Sequence, residues 1–123
     1  MSEIQNKKYD LEERTLSFAR NCRGLIKNVD KTIGNIEDGK QLVRSSGSVA
    51  ANYIEANESL SKKDFALRIK ICRKEAKESI LWLKLLEMNE ASAPNQLRMK
   101  LTQEGTELMK IFGAIIEKTK SAI

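Results

Sequence analysis

Apolar residues recur along this chain at alternating steps of four and three, the spacing that gathers side chains on one face of an α-helix. Leu11, Thr15, Phe18, Cys22, Leu25 and Val29 make the first such seam, with Asp10 in the N-cap position, and predict a helix over about 10–29. A second helix is expected over about 32–58, carrying Ile33 and Ile36 before a run of small residues. A third, over about 62–89, has the seam Phe65, Ile69, Cys72, Ala76, Ser79, Leu83 and Leu86, and Ser61-Lys-Lys-Asp64 supplies its capping signal. After the turn Ala91-Ser-Ala-Pro94-Asn, a fourth over about 95–119 places Leu97, Leu101, Leu108, Phe112 and Ile115 on its seam.

Four such seams joined by short connections describe an all-α fold, an antiparallel up-down-up-down four-helix bundle. No alternating run signals a strand. At 123 residues with 41% hydrophobic content, the chain is one domain, 1–123, long enough to bury a core without metal or disulfides.

The second helix is unusual in its small residues. Leu42, Ser46, Val49, Tyr53 and Ala56 form one face, and Val43, Gly47, Ala50 and Ile54 an adjacent one, so the helix is expected to touch neighbours on two sides. Gly34 and Gly39 weaken its first turns.

The third helix also has more apolar surface than one seam requires. Leu67, Ile71, Trp82 and Leu85 lie to one side of the seam and read as a candidate oligomer interface, with Asp64, Glu75 and Glu78 as a partly exposed rim. A wider monomer core is the alternative. A third arc of the same helix is basic: Lys62, Lys63, Lys70, Arg73, Lys74 and Lys77, continued by Lys84. Residues 62–77 hold seven basic and two acidic side chains, a balance of +5 that equals the net charge of the whole chain. Such a stripe is the footprint of a surface that meets phosphate backbones, and equally of a solvated face that keeps a protein soluble. No aromatic residues interleave with it, which argues against sequence-specific single-strand reading by base stacking.

Composition argues against an enzyme. The chain has no histidine, so the commonest general base and metal ligand is missing, and no phosphate loop, nucleophile elbow or Cys-x-x-Cys is present. Cys22 and Cys72 fall on apolar seams, as reduced core residues do. No metal or cofactor is expected. Without a signal peptide or an apolar run long enough to span a membrane, the expected location is the cytoplasm.

Gln41-Leu-Val-Arg44-Ser45, Ser48-Val-Ala-Ala-Asn52 and Glu55, then Ser61-Lys-Lys-Asp64-Phe65 and Ile71-Cys-Arg73-Lys-Glu-Ala76-Lys-Glu78, resemble the four-helix-bundle family of bacterial 23S rRNA intervening-sequence proteins, the S23 family. Gln41, Arg44, Ser48, Asn52 and Glu55 carry the signature. Where the family has Asn-Ile-Ala-Glu-Gly, this chain has Asn52-Tyr53-Ile54-Glu55-Ala56, and where it has Ile-Ala-Arg-Gly-Ser-Ala, this chain has Ile71-Cys72-Arg73-Lys74-Glu75-Ala76. The resemblance implies a ring-like homopentamer without enzymatic activity. It also implies kinship with the accessory protein of diversity-generating retroelements, which associates with a reverse transcriptase and nucleic acid. The polar signature residues are expected to satisfy one another or to cross a subunit boundary rather than to bind a ligand.

The functional expectation is a non-enzymatic oligomeric scaffold whose basic surface contacts RNA, DNA or a nucleic-acid-bound protein. The rival is a purely structural or protein-interaction module with no affinity for nucleic acid.

Overall fold

The computed structural model describes residues 3–121, with side chains from residue 10 to 120, as four helices: α1 (Glu3–Lys27), α2 (Ile33–Asn57), α3 (Lys62–Leu85) and α4 (Ala93–Ser121). Among the described residues there is no strand, and no helix is long and apolar enough to cross a membrane. Each helix packs on the next and α1 also meets α4, so the four enclose a single core. Phe18, Leu25, Leu42, Ile69, Leu83, Leu108 and Phe112 lie at its centre, with Tyr53 tilted on Phe112 at a ring separation of 6.1 Å. Shortening one of these, such as Leu83→Ala, removes roughly 2–5 kcal/mol.

The seams bury as the four-three spacing predicts on α1 and α3, from Leu11 through Leu25 and from Ile69 through Leu86, while Val29 and Phe65 stay half-buried at the margins. On α4 the buried residue near the end is Ile116, and Ile115 is half-buried instead.

The helix ends differ more. Asp10 does not cap α1, which already runs from Glu3, since residues 3–9 contain neither glycine nor proline to interrupt it. At the other end α1 stops at Lys27, where Asn28 donates from its backbone N–H to the Leu25 carbonyl and from its side chain to that of Gly24. Thr32 caps α2, its hydroxyl accepting from Asn35 N–H, and Ser61 caps α3 by accepting from Asp64 N–H at 3.0 Å. α4 begins at Ala93, two residues earlier than expected, with the Ser92 hydroxyl accepting from Asn95 N–H.

The early end of α3, at Leu85 rather than near residue 89, has two causes. Asn35, only 2% exposed, donates from its side-chain amide to the carbonyls of Asp30 and Glu87 and accepts from Glu87 N–H, so that peptide is paired outside the helix. Arg98 of α4 donates to the carbonyls of Leu83 and Leu86, satisfying the α3 C-terminus, and is held by two bonds to Asn95 Oδ1.

α2 does touch two neighbours, and the predicted second face is only partly covered. Leu42, Ser46, Val49, Tyr53 and Ala56 are buried, and the further buried position is Ser45, whose hydroxyl lies 2.8 Å from that of Ser79 across the α2–α3 contact. The Cys72 thiol donates to the Val49 carbonyl in the same contact. Val43, Gly47 and Ala50 are half-buried and Ile54 is 52% exposed. Close approach of α1 and α2 occurs at Gly39, where an added Cβ would stand 3.2 Å from Ile26. At Gly47 the neighbour is the Arg23 guanidinium, at 3.4 Å.

Candidate functional site

Because the seam of α3 faces the core, its remaining arcs are set by helical geometry at about 100° per residue. Lys62, Lys63, Lys70, Arg73, Lys74 and Lys77 are all exposed. Of the six, only Lys74 has an ion pair, 3.7 Å from Glu75 Oε1. The other five make no ion pair among the described residues. Where α3 begins and α4 ends, the helices leave a groove of about 770 Å³ with Leu67, Ala66 and Ile116 in its wall and Lys62, Lys63 and Lys70 around it. Asp64 of α3 shares this rim, and Lys120 of α4, 3.3 Å from Glu117, completes it, a contribution that only the packing of α4 on α3 reveals.

The signature residues occupy the outer edge of the α2–α3 contact. Arg44 reaches across to Glu75 at 3.2 Å and Glu78 at 3.6 Å, and Gln41 accepts from its Nε. Asn52 donates to the carbonyl and hydroxyl of Ser48 and accepts from Arg68 at 3.1 Å. Ser48 and Asn52 are half-buried, whereas Gln41, Arg44 and Glu55 are exposed. Glu75 is not a partly exposed rim residue: it is 4% exposed, turned toward α2, and the Arg44 and Lys74 cations compensate its carboxylate.

The second apolar stripe divides. Leu67 is 54% and Leu85 49% exposed, and Leu81, absent from the sequence reading, joins them at 48%. Ile71 is half-buried, and Trp82 packs against the monomer core with its Nε1 enclosed and without an acceptor. Trp82 therefore contributes to the wider core of the chain itself.

Cys22 and Cys72 are fully buried and free, and burial pushes both thiols up to about 12, so neither is a nucleophile near neutral pH. Among the described residues, no group of three or more acids and cysteines is placed to hold a metal ion.

The sequence model of the 23S rRNA-intervening sequence protein family matches residues 7–114. A crystal structure of a protein with unknown function from the S23 ribosomal protein family of Bacteroides thetaiotaomicron VPI-5482 is 31% identical, covers 90% of this chain and 98% of its own, and superposes with a TM-score of 0.77. No curated protein matches this chain.

Proposed function

This chain belongs to the 23S rRNA-intervening sequence protein family, and we propose that it is a non-enzymatic, homo-oligomeric scaffold whose basic α3 face contacts the phosphate backbone of RNA or DNA. The observation that carries this is the state of the basic stripe: among the described residues, four of its lysines and Arg73 are exposed and make no ion pair, although acids make up 17 of the 123 residues. Of the acids on α3, Glu75 and Glu78 are taken by Arg44 of α2, while Asp64 stays exposed beside Lys63. A surface evolved only for solubility gains from interspersed signs, which this arc lacks.

Each copy is an antiparallel up-down-up-down bundle of one domain, and the copies associate through the exposed leucines of α3. A ring would repeat the stripe on one particle and raise its affinity for a polyanion through multiple contacts. Cytoplasmic location, the pentameric state and a nucleic-acid-bound protein partner of the retroelement kind belong to the same proposal.

Titration against RNA and duplex DNA at two salt concentrations tests it. Binding should depend weakly on sequence and fall steeply with salt, because neutralised phosphates release counterions. Lys62→Glu, Arg73→Glu and Lys77→Glu combined should abolish binding with helicity and particle size unchanged. Absence of binding by the unaltered protein at low salt would leave the scaffold without nucleic acid as its role.

A further inference from the structure

We infer that the nucleic acid this face takes is single-stranded, one unpaired base lodging in the groove between the start of α3 and the end of α4 while the flanking phosphates meet the lysines around it. This rests on the phosphate-contacting reading above and names the class of nucleic acid that the same site prefers.

The groove is not built as a plain cationic surface. At about 770 Å³ it falls within the range of about 300–1,000 Å³ typical of pockets for small organic ligands. Its wall is aliphatic: Ile116 of α4, only 2% exposed, is the most enclosed member, with Ala66 half-buried and Leu67 54% exposed beside it. Around this wall Lys62, Lys63 and Lys70 are exposed and make no ion pair among the described residues, and Lys120 shares its charge with Glu117 at the surface. Cations that ring an apolar hollow complement a ligand with an uncharged, flat body and negative charge on either side of it. A nucleotide in an unpaired strand has that form, because its base is free to turn out of the stack between two phosphates.

A duplex fits the same surface less well. Its bases are paired and stacked inward, so it offers phosphates to the lysines and nothing to bury against Leu67 and Ile116. A single strand gains from both. The contact is with aliphatic carbon, which every base can make, so it needs no aromatic platform and carries little sequence information.

Asp64 is a separate observation that agrees. Its carboxylate lies exposed on the rim, next in sequence to Lys63, yet among the described residues it forms no ion pair and accepts no hydrogen bond. Toward a phosphate such a group is repulsive. Toward the Watson–Crick edge of an unpaired base it is an acceptor, since each of the four bases carries at least one N–H donor there, and in a duplex those donors are already taken.

The groove leaves room for the contact between copies. Leu81 and Leu85 lie about 21 Å and more beyond Leu67 along α3, at 1.5 Å per residue, and remain available to it.

Fluorescence anisotropy with a short labelled RNA, alone and annealed to its complement, tests the inference. At equal salt the single strand should bind about tenfold tighter than the duplex. Ala66→Gln, which fills the groove without changing its charge, should bring single-strand affinity down to that of the duplex and leave its salt dependence unchanged, because the lysines remain. Thr119→Gln, which narrows the groove from α4, is the second variant if the first alters helicity or particle size. Asp64→Ala should weaken single-strand binding several-fold although it removes a negative charge. A duplex bound as tightly as the single strand, a filled groove that binds the single strand as before, or tighter single-strand binding by Asp64→Ala each overturns the groove as a base site and leaves the phosphate contact standing. No binding of either form by the unaltered protein at low salt overturns both.

Discussion

The side-chain amide of Asn35 pairs with the peptide of Glu87 in the manner of one strand with another, donating to its carbonyl at 2.8 Å and accepting from its N–H at 2.7 Å. A third bond runs from the same amide to the Asp30 carbonyl at 2.9 Å. One residue thus ties the α1–α2 loop, the first turn of α2 and the end of α3.

Asn35→Ala should destabilise the protein by about 2–4 kcal/mol, because it strands buried backbone groups that the amide now satisfies. Asn35→Leu, which keeps the volume, should be no better. Chemical denaturation measures both, and a loss well below 1 kcal/mol would mean that water replaces the amide without cost.

Arg14 of α1 grips Glu104 of α4 through two bonds, Nε to Oε2 at 3.1 Å and Nη2 to Oε1 at 2.7 Å, and the hydrogen bond to Glu104 chiefly raises the Arg14 pKa. A double-mutant cycle on Arg14→Ala and Glu104→Ala should give a coupling of about 1 kcal/mol, the upper end for a half-exposed pair, because the geometry is bidentate. The coupling should shrink in high salt.

Two glycines in helices should respond with opposite signs. Nothing lies within 4 Å of a Cβ built on Gly24, so Gly24→Ala should stabilise by about 0.5–1 kcal/mol through a less mobile unfolded chain. At Gly105 the new Cβ would stand 3.0 Å from Ile80 Cγ1 and 3.5 Å from Phe18, so Gly105→Ala should destabilise. Thermal melts of the two variants decide both signs.

The buried thiols make the protein sensitive to alkali. An unfolded chain releases the Cys22 and Cys72 protons near the ordinary value of 9.0, while the folded chain holds them to about 12. Between these values the unfolded state binds fewer protons, so stability is full below pH 9 and falls as pH rises toward 12. At pH 10 the loss is on the order of 1 kcal/mol per thiol. Denaturation at pH 8 and pH 10 should show a steeper fall in the unaltered protein than in Cys22→Ala/Cys72→Ala; equal slopes would refute the assignment.

Burial periodicity is a local property, which is why the seams of α1 and α3 and the Ser61 cap could be read from spacing alone. The exposed arc of lysines follows from the same seam, since the position of one face of a helix determines the others. What depends on partners far along the chain was not legible. The end of α3 is set by Asn35 and Arg98, 52 residues before Glu87 and 12 after Leu86. The choice of Ser45 over Val43 as the second buried face of α2 depends on where α3 stands, because small residues occur on three sides of that helix. Ile115 and Ile116 differ by one position, and a helix drifts from a 3.5-residue seam by about 20° per heptad, roughly half a position between Leu97 and Ile115, which leaves the choice between the two to packing.

The serine pair at the centre of the α2–α3 contact constrains how this sequence can change over generations. Each hydroxyl has one proton, and the Glu75 carbonyl at 2.9 Å is a better acceptor for Ser79 than the Leu42 carbonyl at 3.4 Å is for Ser45, which favours Ser45 as the donor between them. Losing the Ser45 hydroxyl first removes a donor and leaves Ser79 still bonded to its own helix. Losing Ser79 first leaves Ser45 only the Leu42 carbonyl at 3.4 Å in a space closed to water. Descent toward an apolar contact at this position is therefore open in one order, through Ser45, and obstructed in the other.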